Sequence, residues 1–305
     1  MGRLRVRILV TGATGFVGRF ALKRLRSTGA EVHASARRAG DPSIAEWHET
    51  DLLAPAAARA LVNAVRPSHI LHLAWYSEPG KFWTARENTR WLAATLELIE
   101  AFADAGGQRF VGAGTCAEYD WSGSGVCDEE TTPLRPATLY GATKLAAYHV
   151  LRTFAETAHL SWAWGRLFFM YGPHEPQAKL IASVITALLR GEAAKCTSGE
   201  QERDFLHVAD AGAALAELLV SDVAGAVNVG SGEGVAVRDV VMRIGDMLDA
   251  PERIQIGAIQ PAKREAPRVV ANAGRLHGEV GWQPSLTLDA GLQATIDWWR
   301  RELAR

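Results

Sequence analysis

A chain of 305 residues that is 48% hydrophobic holds enough apolar material for one large or two modest domains. Its 33 basic and 34 acidic side chains leave a formal net charge of −1, which excludes a general attraction to nucleic acid or to anionic membranes. The three cysteines, Cys116, Cys127 and Cys196, are an odd number without metal-ligand spacing, so free thiols in a reducing cytosol are expected, with no disulfide framework and no metal.

In chain order, the apolar run Val6–Val10 predicts a first strand buried on both faces. It follows directly on Met1–Arg7, which lacks a long apolar signal region; a soluble cytoplasmic protein is expected. Phe16–Ser27 has helical spacing and stops at Gly29. Strands are predicted at Glu31–Ala36, Trp47–Asp51 and His69–Ala74, with a helix over Ala56–Val65 between the last two. A long helix over Arg86–Ala105, a strand at Arg109–Gly112, a second long helix over Tyr140–His159 and a strand at Trp162–Phe169 complete the alternation. Strands alternating with helices imply a parallel sheet with right-handed crossovers. After Gly172-Pro173 the pattern loosens into helices at Leu180–Arg190, Asp210–Ser221 and Val237–Leu248. The expected fold is α/β: a doubly wound parallel sheet over residues 1–170, with a smaller, interleaved lobe over 171–305. No stretch reaches the roughly 20 apolar residues of a spanning helix.

Two segments carry chemistry. In Thr11-Gly12-Ala13-Thr14-Gly15-Phe16-Val17-Gly18 the glycines let the backbone turn tightly and approach a phosphate at a helix N-terminus. An ordinary strand-to-helix turn is the plainer reading of such a motif alone. Tyr140 and Lys144 stand four apart, so on a helix they share a face. An ammonium beside a phenol lowers the phenol pKa from about 10 and makes it a usable acid/base. Chance spacing on an exposed helix is the alternative, and Thr115, placed past the Arg109–Gly112 strand at the ligand-facing end of the sheet, argues against it.

With these segments in view, the chain resembles the extended short-chain dehydrogenases/reductases, in particular the nucleotide-sugar epimerase/dehydratase/reductase branch. The likeness rests on the TGxxGxxG turn from Thr11 to Gly18, on Thr115, on Tyr140-x-x-x-Lys144, on Arg203-Asp204-Phe205-Leu206-His207-Val208-Ala209-Asp210 and on Gly281-Trp282-Gln283-Pro284. It implies a dinucleotide on the turn, with Gly12, Thr14, Gly15, Phe16, Val17 and Gly18 around the pyrophosphate. It places Asp51 and Leu52 by the adenine and Leu73 and Ala74 along the cofactor. Asp51 also reads as a helix cap. Thr115 would hydrogen-bond the reacting oxygen, Tyr140 would exchange its proton, and Lys144 would hold the nicotinamide ribose. Arg203, and Arg264 as a second arginine, would contact the diphosphate of a nucleotide sugar, with surface salt bridges as the plainer reading of both. Tyr76, in the aromatic stretch Trp75–Trp83, is expected to line the substrate site. Asn88 lies near the family's helix Asn, but its spacing to Ala94-Thr95 is off by about a turn, so that role is not assigned. His207 and Asp210 read as a packed histidine and a helix cap. Family members pair through two long helices, which implies a homodimer with Leu92, Leu96, Leu145 and Leu151 on a buried face.

The residues after Thr115 narrow the reaction. Sugar 4,6-dehydratases of this family place Asp-Glu there, and this chain has Cys116-Ala117, with Glu118 one position late. That leaves a 4-keto-6-deoxyhexose reductase or an epimerase working through a transient ketone. Where NAD-selective sheets carry an acid, the second strand ends at Ala36 and is followed by Arg37 and Arg38, which suit a 2′-phosphate. NADP(H) is therefore expected over NAD(H), and a reductase over an epimerase. A non-catalytic dinucleotide-binding sensor is the reading from another class.

Overall fold

The computed structural model describes residues 6–123, 125–260 and 265–305. The first half runs β1 (Arg7–Thr11), α1 (Gly18–Arg26), β2 (Glu31–Ala36), β3 (Glu46–Glu49), α2 (Ala57–Val65), β4 (His69–His72), α3 (Glu87–Asp104), β5 (Arg109–Thr115), β6 (Val126–Cys127), α4 (Leu139–Ala158) and β7 (Ser161–Leu167). The second runs β8 (Phe169–Tyr171), α5 (Leu180–Leu189), β9 (Ala194–Lys195), β10 (Glu202–His207), α6 (Val208–Val220), β11 (Gly225–Val229), β12 (Gly234–Ala236), α7 (Val237–Met247), β13 (Ile254–Gln255), β14 (Arg268–Ala271), α8 (Gly274–Gly278) and α9 (Leu288–Leu303).

Seven strands form one sheet in the order β11-β7-β5-β4-β1-β2-β3. Its neighbours all pair in parallel, so the carboxyl ends of β1, β2, β4 and β5 open on one edge. Chain order reverses between β1 and β4, and the crevice at such a switch point is where open α/β sheets bind ligands. The central strands read as continuous apolar runs because both faces are covered. Ile8 and Val10 pack with Leu22 and Leu25 of α1 and Leu215 and Leu218 of α6. On the opposite face, Leu9 and Ile70 pack with Leu61 of α2, Leu98 of α3 and Leu151 of α4.

The second half is interleaved in a concrete way. α6 lies on α1, where a Cβ on Gly212 would come within 2.7 Å of Ala21 N. β11 returns to the large sheet as its outer strand beside β7. In exchange β6, from the first half, joins the smaller sheet β12-β10-β14-β6. The rest of the lobe is a separate apolar cluster of α5, α7 and α9, including Ile185, Val241 and Ile296. Element ends differ from the sequence reading by a residue or two. The larger departure is β5, which runs on to Thr115 because Ala113 and Gly114 keep pairing with Gly165 and Arg166. Leu151 is fully buried in the core and supplies no face for a partner; Leu92, Leu96 and Leu145 pack against that core only in part. Among the described residues, no helix is long and apolar enough to cross a membrane.

Candidate active site

The glycine turn joins β1 to α1 under tight backbone constraints. Gly12 has φ of +66°, and a Cβ there would meet Ala74 N at 2.7 Å. A Cβ on Gly18 would collide with the Gly12 carbonyl oxygen. Only glycine fits at either position. The first turn of α1 carries no acidic side chain, so its dipole is left for an anion, although Arg19 N and Phe20 N already donate to Gly15 O and Val17 O. Beneath the turn, Thr11 Oγ1 bonds His72 Nδ1 at 2.7 Å and His72 Nε2 bonds Thr95 Oγ1 at 2.9 Å. Burial, then the nearby Lys144, pushes the His72 pKa down to about 3, so the ring stays neutral.

A cleft of about 390 Å³ opens above these strand ends. Gly12, Thr14, Gly15, Phe16, Val17, Gly18, Arg37, Asp51, Leu52, Leu73, Ala74, Tyr140 and Lys144 all line it. Every expected cofactor residue is there except Arg38, which is exposed outside the lining. A cleft lined by a glycine cradle and a helix N-terminus fits a dinucleotide. Ala36, the last residue of β2, lines the cleft where an NAD-selective site carries its acid.

Tyr140 lies in the first turn of α4, which Thr138 caps by accepting from Gly141 N at 3.1 Å. Its backbone N–H donates to Trp83 O at 3.1 Å. Its ring meets Phe82 and Trp83 edge-on, at 4.9 and 5.9 Å between centroids. Burial raises the phenol pKa above its ordinary value, the neighbouring Cys116 and Glu118 add to this, and the Thr115 hydroxyl acts the other way. The expected lowering by Lys144 is therefore overturned. The physical reason is orientation: Lys144 Nζ donates to Ala113 O at 2.6 Å and sits 3.9 Å from the centre of the Trp75 ring. Burial pushes the Lys144 pKa down to about 7 against the pull of Glu118.

Behind Thr115 lies a network that the sequence did not announce. Glu118 is fully buried and accepts from Thr115 N at 2.9 Å, Trp164 Nε1 at 3.0 Å and Arg166 Nε at 2.8 Å. Arg166, also fully buried, donates to the Tyr119 hydroxyl at 2.9 Å, and that hydroxyl donates to Asn228 Oδ1 at 2.7 Å. Glu118 thus anchors the end of β5 and is committed away from the cleft. Cys116 is buried, and burial raises its thiol pKa. The chamber beside Thr115 receives no second acid or base from positions 116–118.

Other expected residues fall elsewhere. Tyr76 donates its hydroxyl to Glu78 Oε2 at 2.7 Å and lines neither this cleft nor the neighbouring cavity; Trp75, Ser77 and Phe82 of the same stretch do line the cleft. Arg203 is nearly fully buried, donating to Glu202 O at 2.8 Å, Ala266 O at 2.9 Å and Glu265 Oε1 at 3.1 Å. It tethers the chain at Glu265-Ala266, and Glu265 in turn lines a second cavity of about 370 Å³ with Trp83, Ala117, Trp121 and Arg135. Arg264 lies outside the described residues. The roles of His207 and Asp210 are redistributed. His207 caps α6 through Nδ1, while Asp210 accepts from Ser285 N and Oγ and from Leu286 N, holding the segment after Pro284. Asn88, left unassigned, is fully buried and ties the aromatic loop down: it donates to Phe82 O and Ala85 O and accepts from Trp75 Nε1 at 2.8 Å. Lys179, at the start of α5, was missed; it lines the cleft and lies 5.5 Å from the Phe82 ring.

The sequence pattern of the NAD dependent epimerase/dehydratase family matches residues 8–230, from β1 to the end of β11. The chain belongs to that family. Among curated relatives, a UDP-glucose 4-epimerase of Streptomyces lividans is 30% identical over 91% of each chain. A dTDP-glucose 4,6-dehydratase of Xanthomonas campestris is 29% identical over 82% of this chain and 75% of its own. Among solved structures, MoeE5 in complex with UDP-glucose and NAD superposes with a TM-score of 0.84 at 32% identity, over 97% of this chain and 99% of its own. The UDP-glucose 4-epimerase of Thermus thermophilus, in complex with NAD, gives 0.85 at 27% identity, over 97% and 99%. This member of the epimerase/dehydratase family is thus an enzyme of the NAD-dependent nucleotide-sugar group; its glycine turn, Tyr140 and Lys144 line the cleft, and Thr115, outside that lining, stands beside Tyr140.

Proposed function

We propose that the enzyme reduces the keto group of a nucleotide-linked 4-keto-6-deoxyhexose, with NADPH as reductant. The carrying observation is geometric: Tyr140 and Lys144 line the cofactor cleft, Tyr140 stands beside Thr115, and positions 116–118 are buried and bring no second acid or base to it. A protonated phenol suits reduction, because a ketone gaining hydride needs a proton at its oxygen. In this reading the Thr115 hydroxyl holds that oxygen, and Tyr140 delivers the proton to it. Lys144, poised near neutrality one helical turn along, is the proton reserve and the ribose contact. When bound there, the dinucleotide would supply the hydride. Arg37, lining the cleft past a neutral Ala36, supports the 2′-phosphate. The second cavity, with Arg135, Trp83 and Trp121, would take the nucleotide end of the substrate. Cys116 and Ala117 argue against the 4,6-dehydration of the Xanthomonas relative, since neither can exchange the protons that eliminating water requires.

The test is consumption of NADPH with a nucleotide-linked 4-keto-6-deoxyhexose. One NADPH lost per hydroxyl formed supports the proposal. A second reading, an epimerase with retained NAD, is favoured by the likeness to the Streptomyces epimerase and by NAD in the structural neighbours. Interconversion of UDP-glucose and its 4-epimer without added reductant would replace the first reading with the second. A cytoplasmic homodimer is proposed in either case.

A further inference from the structure

The outer edge of the large sheet carries a cluster that the cleft does not use. β2 and β3 pair in parallel with His33 opposite Glu46 and Ser35 opposite His48. Alternation then brings Glu31, His33, Glu46 and His48 to one face. His33 Nδ1 and His48 Nε2 are 3.0 Å apart. Glu46 approaches both, with one carboxylate oxygen 3.7 Å from His33 Nδ1 and the other 4.0 Å from His48 Nε2. Donors that each stand about 2.1 Å from a common tetrahedral ion are roughly 3.4 Å from one another. The observed spacings bracket that value.

The surroundings fit as well. His33 is buried, and its Nε2 contacts Glu31 Oε1 at 3.0 Å. Glu31 also accepts from Arg7 Nε at 3.0 Å. A carboxylate on one ring nitrogen fixes the proton there and turns the other nitrogen's lone pair outward, the arrangement that orients histidine ligands in metal sites. A plain hydrogen bond between His33 and His48 needs neither Glu46 nor Glu31.

We propose that His33 Nδ1, His48 Nε2 and the Glu46 carboxylate bind a divalent transition-metal ion of the zinc or cobalt class, with His48 passing to its Nδ1–H tautomer. Two imidazoles and one carboxylate select such ions over magnesium or calcium. Exposure of Glu46 leaves a coordination position for water. The ion would clamp the edge strand to the sheet just before Arg37 and Asp51, which line the cofactor cleft. This site shares no residue with the proposed reaction.

Untagged, chelator-stripped full-length protein is titrated with zinc by calorimetry and with cobalt(II) by visible absorption. The expected result is about one ion per chain, with the absorption bands of tetrahedral cobalt. His48→Gln and Glu46→Gln, both at partly or fully exposed side chains, should weaken binding at least ~10-fold, and Glu31→Gln by ~10- to 100-fold. Zinc should raise the melting temperature of the wild type and not that of His48→Gln. No zinc binding below millimolar concentration would overturn the proposal. So would binding equal to the wild type's in a folded Glu46→Gln and a folded His48→Gln.

Discussion

The buried pair of Glu118 and Arg166 gives the sharpest energetic prediction. Both side chains are wholly removed from water, 2.8 Å apart. Replacing Glu118 by Gln keeps the shape and leaves one amide oxygen to accept from Thr115 N and Trp164 Nε1. The atom that faced Arg166 Nε becomes an N–H₂, which sets donor against donor. Arg166 then keeps only the Tyr119 hydroxyl and the faces of Tyr119 and Tyr148, at 4.7 and 4.9 Å from the guanidinium carbon. Breaking a buried pair by removing one partner costs about 3–5 kcal/mol, because a charge is left uncompensated. Glu118→Ala should cost more, by about 1–3 kcal/mol for each orphaned donor, Thr115 N and Trp164 Nε1. The double variant Glu118→Gln/Arg166→Met removes both charges and should be more stable than Glu118→Gln alone. Urea unfolding of the four proteins, followed by tryptophan fluorescence, measures this cycle. A cost below ~1 kcal/mol for Glu118→Gln, or a double variant equal to the sum of the singles, would refute the account of an obligate buried pair.

Three further outcomes are expected. Lys144 has its folded pKa pushed down to about 7 from 10.5, so between those values the unfolded chain holds a proton that the native state lacks. Stability should therefore rise with pH across that window relative to Lys144→Met, by up to about 1.4 kcal/mol per pH unit; parallel urea midpoints for the two proteins would contradict it. Arg37→Ala should weaken NADPH by ~10- to 100-fold and leave NADH nearly unchanged, and Arg38→Ala should matter little; equal loss for both cofactors by fluorescence titration would remove the 2′-phosphate reading. Light scattering at micromolar concentration should give the mass of a dimer, and Val150→Asp, at a residue exposed to 43% on α4, should shift it to a monomer; a monomeric wild type would end the pairing through α3 and α4.

Much of the site could be read from the chain because the glycine turn and the Tyr140-x-x-x-Lys144 spacing are local. A turn needing φ of +66° at Gly12 and a helix placing i and i+4 together follow from a few consecutive residues. What failed depended on distant partners. The Lys144 ammonium was expected to act on Tyr140, but Ala113 O on β5 and the Trp75 face in the loop after β4 compete for it. Arg203 looked like a substrate contact, and only the fold brings Glu265 and Ala266 O within reach of it. Glu118 seemed one position late for chemistry, and its partner, Arg166, lies 48 residues on, on the neighbouring strand. Asn88 failed a spacing comparison yet pins the loop holding Trp75 and Phe82. The His33, Glu46 and His48 cluster needed the register of two strands. The interleaving of β6 and β11 has the same origin: short strands carry no sequence mark of which sheet they join.

The central claim is that Tyr140 gives a proton to a ketone while NADPH is consumed. Rapid mixing of the NADPH complex with a nucleotide-linked 4-keto-6-deoxyhexose, followed by nicotinamide absorbance, tests it in one turnover. The account predicts one NADPH oxidised per active site in the wild type. It predicts a rate at least ~10²-fold lower in Tyr140→Phe, with NADPH affinity unchanged. A Tyr140→Phe rate equal to the wild type's, or a wild type that leaves NADPH untouched, would contradict it.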